Sequence, residues 1–190
     1  MQHTPSQSVL FERAVIGSPL LSAVLEHWDQ VALPDCWLIA GALAQTFWNL
    51  AHGLSPTHGI KDVDIAYFDE TDLSAQVEEA HAARINAAFA KHSIHFDVKN
   101  EARVHLWYER KFGYAIRPYA STPHAIATFP TTATSVGVHP TSSGLAFCAP
   151  FGLHDLLGLV VRANKAQITH EIYAAKGQSL ESAMAALEDH

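Results

Sequence analysis

Residues 61–68 read Lys-Asp-Val-Asp-Ile-Ala-Tyr-Phe, and polar and apolar side chains alternate along them with a period of two. That period suits a strand with one buried face and suits no helix. It sets Asp62 and Asp64 side by side on one face while Val63 and Ile65 turn to the core. Residues 93–99 repeat the pattern, with Ile94, Phe96 and Val98 on one face and His95, Asp97 and Lys99 on the other. If the two strands pair, three carboxylates converge. Two carboxylates near 4 Å repel by roughly 4 kcal/mol at the effective dielectric of a protein surface. Such a group calls for a structural partner, a raised pKa or a divalent metal.

The rest of the chain supplies elements that can flank this pair of strands. Residues 36–40, Cys-Trp-Leu-Ile-Ala, form a short apolar strand ending at Gly41, and residues 42–52 follow as a helix with Leu43, Phe47 and Leu50 on one face. Ahead of them, Ser18-Pro19 is an N-cap with proline at the first helical position. Leu20, Leu21, Val24, Leu25, Trp28 and Val31 then recur at helical spacing until Pro34. Residues 73–91 predict a crossover helix with Asp72 as its N-cap, and residues 100–112 a helix closing at Gly113. A short helix over 121–129, a hairpin from 132–138 and 145–148, and helices over 153–162 and 168–186 complete the chain. The expected fold class is α+β, a small mixed β-sheet flanked by helices with helical additions at both ends. No linker or repeat divides the 190 residues, so the expectation is a single domain over 1–190, with a core at about 33–150 and a helical extension at about 151–190.

Hydrophobic residues make up 48% and charged residues 16% of the chain, against roughly 25% charged in ordinary soluble proteins, so disorder and coiled coil are both poor fits. The formal charge of −7 disfavours a broad phosphate-coating surface. The longest apolar run, residues 36–44, is about half of the roughly 20 residues that cross a bilayer, and residues 1–5 lack the cationic start of a signal peptide. No membrane span and a cytoplasmic location are therefore expected. Cys36 and Cys148 read as small buried thiols, and the 13 histidines show no paired metal spacing, so no zinc is assigned.

Oxygen-only ligands such as Asp62, Asp64 and Asp97 suit magnesium or manganese. Three carboxylates can hold two such ions about 3.5–4 Å apart, one polarising an attacking oxygen and the other stabilising a leaving group, as in phosphoryl or nucleotidyl transfer. The helix starting near Ala42 offers unpaired amides and a positive dipole end for a triphosphate, and Gly41 permits close backbone approach. Taken singly, each acid has an ordinary structural role: Asp62 could cap a turn, Asp64 could pair with Lys61 or Lys99, and Asp97 could be a solvated edge acid. Their joint placement on successive strands after a glycine-terminated strand favours a site. Arg103, after Asn100, is suited either to forked phosphate binding or to pairing with an acid such as Asp64 or Asp97. Lys61 and Lys99, on the strand faces of the acids, are second choices for phosphate.

This layout resembles the DNA polymerase β nucleotidyltransferase superfamily. More narrowly, four runs resemble a bacterial nucleotidyltransferase-like family: Gly41-Ala42 with Phe47-Trp48-Asn49, residues 62–69, residues 100–108 (Asn-Glu-Ala-Arg-Val-His-Leu-Trp-Tyr) and residues 149–156 (Ala-Pro-Phe-Gly-Leu-His-Asp-Leu). The likeness spans about 33–176 and implies a polymerase-β-like core. It also implies a divalent-metal-dependent enzyme that moves an NMP from an NTP to an unidentified acceptor and releases pyrophosphate. Asp62 and Asp64 would bind both Mg²⁺ or Mn²⁺ ions, and Asp97 would bind one and draw the proton from the attacking hydroxyl. Gly41, Ala42, Lys61, Lys99, Asn100 and Arg103 would line the nucleotide. The acceptor is expected to be a small molecule or protein rather than a long nucleic acid. Two departures stand out: Ala42 replaces the Ser or Gly that usually follows the glycine, and residues 53–59 lengthen the gap from Gly41 to Asp62. They keep open a second reading, a non-catalytic nucleotide-binding or protein-interaction module with a degenerate fold.

Overall fold

The computed structural model describes residues 6–167. Five strands make one mixed sheet: β1 (Trp37–Ile39), β2 (Asp62–Tyr67), β3 (His95–Asn100), β4 (Gly137–Thr141) and β5 (Gly144–Cys148), in the order β3-β2-β1-β4-β5. Only β2 and β3 run parallel, and the other neighbours are antiparallel. The helices are α1 (Gln7–Gly17), α2 (Pro19–Glu26), α3 (Gly41–Ala51), α4 (Ala75–Ala88), α5 (Val104–Phe112), α6 (Thr122–Ile126) and α7 (His154–Leu157). The α+β class is as expected, and α4 is the crossover that parallel pairing of β2 with β3 requires.

Alternation divides the sheet into two unlike faces. Val63, Ile65, Tyr67, Phe96, Val98, Leu38 and Val138 enter the main core together with Phe11, Val24, Leu43, Trp48 and Ile85 of the helices and Phe89 just after α4. The opposite face carries Trp37, Ile39 and Ala66 in a small cluster under Ile126 of α6. The row of acids belongs to this second face. Gly137 lets α6 approach, since a Cβ there would lie 2.9 Å from Ile126 Cδ1 and 3.3 Å from Ile39 Cγ2.

Several boundaries differ from the sequence reading. Helix α1 was not expected, because Val9, Leu10 and Ile16 are exposed while Phe11, Ala14 and Val15 are buried, so apolar residues encircle it and blur the helical period. The N-cap of α4 is Ser74, whose Oγ accepts from Val77 N at 3.4 Å; Asp72 instead accepts from Ser74 N at 2.8 Å, forming the turn just before the cap. The expected helix over 100–112 begins as a 3₁₀ turn at Glu101–Arg103, with Asn100 capping Ala102 N, before α5 proper. Residues Thr132–Thr134 form a 3₁₀ turn, so the late hairpin starts only at Gly137. Of residues 153–162, only His154–Leu157 are helical, and the expected helix over 168–186 lies outside the described residues. Among the described residues no single helix is long and apolar enough to cross a membrane.

Candidate active site

The register of β2 against β3 sets Asp64 opposite Asp97, and Asp62 opposite His95. In a parallel pair, opposed residues share a face, so Asp62, Asp64 and Asp97 stand on one side of the sheet, as their alternation predicts. Asp62 is exposed, and Asp64 and Asp97 are half-buried. On the next strand Ile39 pairs with Asp64, which brings the end of β1 and the start of α3 against the same carboxylate. A Cβ on Gly41 would sit 3.7 Å from Asp64 Oδ2. The chain makes this turn through Ala40, which has a φ of 57° and donates its N–H to Val136 O at 3.0 Å. A positive φ at a residue other than glycine is costly and persists only where surroundings enforce it. The N-cap residue of α3 is Ala40, whose side chain cannot cap the first amides of the helix.

Lys99 joins the row two residues beyond Asp97, and its Nζ lies 2.9 Å from Asp97 Oδ1. Burial works against the Lys99 ammonium, but the bond to Asp97 and the charges of Asp97 and Glu78 outweigh it and raise its pKa. The other sequence-predicted residues stand elsewhere. Lys61 is exposed just before β2 and falls in the alternation phase of Val63 and Ile65, so it does not share the acid face as expected. Ala42 is buried in the main core, which leaves only its backbone to meet a ligand near Gly41.

Arg103 and Asn100 form a lock behind the strands. Arg103 Nη1 lies 2.7 Å from Glu78 Oε1, with both side chains nearly buried, and its Nε donates to Leu73 O at 3.2 Å. The pairing acid is thus Glu78 of α4, not Asp64 or Asp97. Glu78 Oε2 also accepts from Asn100 N at 2.7 Å, while the Asn100 side chain accepts from Asp69 N and donates to Asp69 O. Together they tie α4 and the turn after β2 to the end of β3. Asn49 has a similar duty at α3, where its Nδ2 donates to Pro56 O and His58 O and so fastens the long loop over 53–59. Trp48 Nε1 donates to Leu156 O, joining two of the family-like runs.

Glu101 was not singled out in the sequence, although it continues the 97, 99, 101 alternation. Its side chain is buried, and burial, then the charges of Glu78, Asp64 and Asp97, push its pKa up to about 8 against the pull of Lys99. The folded protein holds this proton more tightly than the unfolded chain, whose value is 4.5. Its contribution to stability is therefore complete below the unfolded value and is lost as pH rises from 4.5 towards about 8. Glu101→Gln is expected to flatten that part of the melting-temperature profile and to melt several degrees above the parent at the alkaline end. Parallel profiles for the two proteins would contradict the buried neutral carboxyl.

Among the described residues, no group of three or more His, Cys, Asp or Glu side chains is placed to hold a metal ion, so Asp62, Asp64 and Asp97 share a face without the expected convergence on one point. What the row offers is a set of hard oxygen donors on one sheet face, exposed at Asp62 and half-buried at Asp64 and Asp97, beside the start of α3. A nucleotidyltransferase family model matches residues 26–187 of the chain. An NMR structure described as revealing a CCA-adding enzyme head domain superposes with a TM-score of 0.73 at 24% identity, covering 87% of this chain and 85% of that one. That likeness concerns the fold. No curated protein sequence matches the chain.

Proposed function

Since the chain belongs to the nucleotidyltransferase family, we propose that the acid face of β2 and β3, together with the start of α3, transfers an NMP from an NTP to an acceptor hydroxyl or phosphate. The observation that supports this reading is the placement of Asp64 and Asp97 on one sheet face, with Gly41 at the start of α3 beside Asp64. The two acids are register partners, and the Gly41 backbone lies close enough to Asp64 that a Cβ there would be in van der Waals contact with its Oδ2. Oxygen donors of this type fit a magnesium or manganese ion, with phosphate oxygens completing the shell. Asp62, Asp64 and Asp97 would hold two such ions, which when bound neutralise the triphosphate and stabilise the leaving pyrophosphate. The amides of Gly41 and Ala42 hold the phosphate tail at the positive end of α3. Asp97 takes the proton of the attacking hydroxyl. Lys99 balances the acid row and is the cation best placed to meet a phosphate oxygen, because Arg103 is committed to Glu78.

One observation favours a binding-only module: Ala42 faces the core and brings no hydroxyl to the phosphates. The two readings separate in one experiment. Binding of a non-hydrolysable NTP with Mn²⁺ is expected to raise the melting temperature by several degrees under saturating conditions. NTP with manganese is then expected to release pyrophosphate when candidate acceptors are supplied. A thermal shift without pyrophosphate release would support the module, and no shift with any NTP would sink both.

A further inference from the structure

A recess lies at the opposite end of β1 from Asp64. Trp37 opens the strand and pairs with Ala66, whereas Ile39 pairs with Asp64 and Gly41 lies beyond. The cavity has a volume of about 210 Å³ and is lined by Trp28, Leu33, Asp35, Cys36, Trp37 and His139. Trp37 and His139 meet edge to face, with ring centroids 4.4 Å apart. Trp28 and Trp37 are only half-buried, whereas Trp48 is fully buried in the core. Two indoles left part-exposed around one hollow give up apolar burial that a core position would gain.

The carboxylate in the wall is held in place. Asp35 Oδ1 accepts from Trp37 Nε1 at 3.0 Å, and Oδ2 accepts from Thr122 N at 2.7 Å. Its backbone is also fixed, with a φ of 40° and its carbonyl accepting from Thr122 Oγ1 at 2.6 Å. Ala32, on the other side of Leu33, has a φ of 44°, so the lining loop carries two strained residues that are not glycine. No cation lines the cavity. Arg84, the arginine near Cys36, gives its guanidinium to the carbonyls of Gln30 and Val31. Burial pushes the Cys36 thiol up, so it adds no charge.

We propose that this cavity binds the head of a small alkylated ammonium ion, with Trp28 and Trp37 supplying π faces and Asp35 the counter-charge. Indole is the best aromatic partner for a cation, and alkylated ammonium recognition by aromatic cages uses the same combination. Most of the wall is apolar or aromatic, and its one carboxylate already accepts from Trp37 Nε1 and Thr122 N, so a bare ammonium would lose water bonds that the cavity replaces poorly. An alkylated head has fewer or none to lose. Sites for drug-sized ligands begin at about 300 Å³, so this one admits a head group only. Choline and trimethyl-lysine share that chemistry.

The test is a titration of the intact protein with choline, with trimethyl-lysine and with 3,3-dimethyl-1-butanol, the uncharged isostere of choline, read on the indole N–H signals in ¹H–¹⁵N spectra. The expected result is a saturable shift of the Trp28 and Trp37 signals with a Kd of about 1–10 mM, little change at Trp48, and no matching shift with the isostere. The tighter of the two cations identifies the source of the head group. Trp28→Leu keeps an apolar wall but loses a π face, and it should weaken binding about tenfold. Absence of a saturable shift, equal binding of the isostere, or undiminished binding by Trp28→Leu would each overturn the proposal. The outcome is independent of whether the acid row transfers nucleotides.

Discussion

Arg103→Ala is expected to lower the melting temperature by about 10 °C in the absence of any nucleotide. Removing one partner of a buried ion pair leaves the other charge without compensation, at a cost of about 3–5 kcal/mol. For a chain of this size each kcal/mol shifts the melting temperature by about 2–4 °C. Glu78 and Arg103 are 11% and 13% exposed in their side chains, so solvent screens the pair weakly. Arg103→Lys keeps the charge but loses the Nε bond to Leu73 O, and it should fall between the parent and Arg103→Ala. The double variant Glu78→Leu with Arg103→Met removes both charges and should recover much of the loss. If Arg103→Ala melts with the parent and fails only in nucleotide affinity, the arginine serves phosphate and the lock described above is wrong.

Asp64→Asn is expected to weaken Mn²⁺ binding in the presence of a non-hydrolysable NTP by about a hundredfold, or about 3 kcal/mol. Attraction between unit charges near 4 Å is roughly 4 kcal/mol at an effective dielectric of 20, so loss of one ligand charge can account for a change of that order. The substitution is close to isosteric, and the metal-free melting curve should stay within a few degrees of the parent. Asp97→Asn should act in the same direction and should also release Lys99 from its partner. Titration calorimetry measures both. Unchanged manganese affinity in Asp64→Asn would remove the acid row from the proposed mechanism.

The strands that carry the acids were legible because alternation is a local property. Asp62, Asp64 and Asp97 could be assigned to one sheet face from residues 61–68 and 93–99 alone, and Gly41 could be placed at the head of a helix after an apolar strand. The α+β class followed from the same periods, since a strand, a crossover helix and another strand in succession admit few arrangements. Helix α1 escaped because its apolar residues lie all round the helix and are selected for burial only by packing against α2 and α3.

What the tertiary structure alone decided is the pairing of distant residues. The opposition of Asp64 to Asp97 and of Ile39 to Asp64 depends on register, which no single strand contains. Arg103 could be seen as a partner for an acid, but the choice of Glu78 over Asp64 or Asp97 required α4 to lie across the end of β3, 25 residues away in sequence. Glu101 became a neutral buried carboxyl through desolvation by its surroundings, and the cavity at Trp28 and Trp37 formed from segments on either side of β1. Local pattern specifies which face a side chain takes. Only close packing specifies what it meets there, because charge and hydrogen-bond energies depend on distances of a few ångströms between segments remote in sequence.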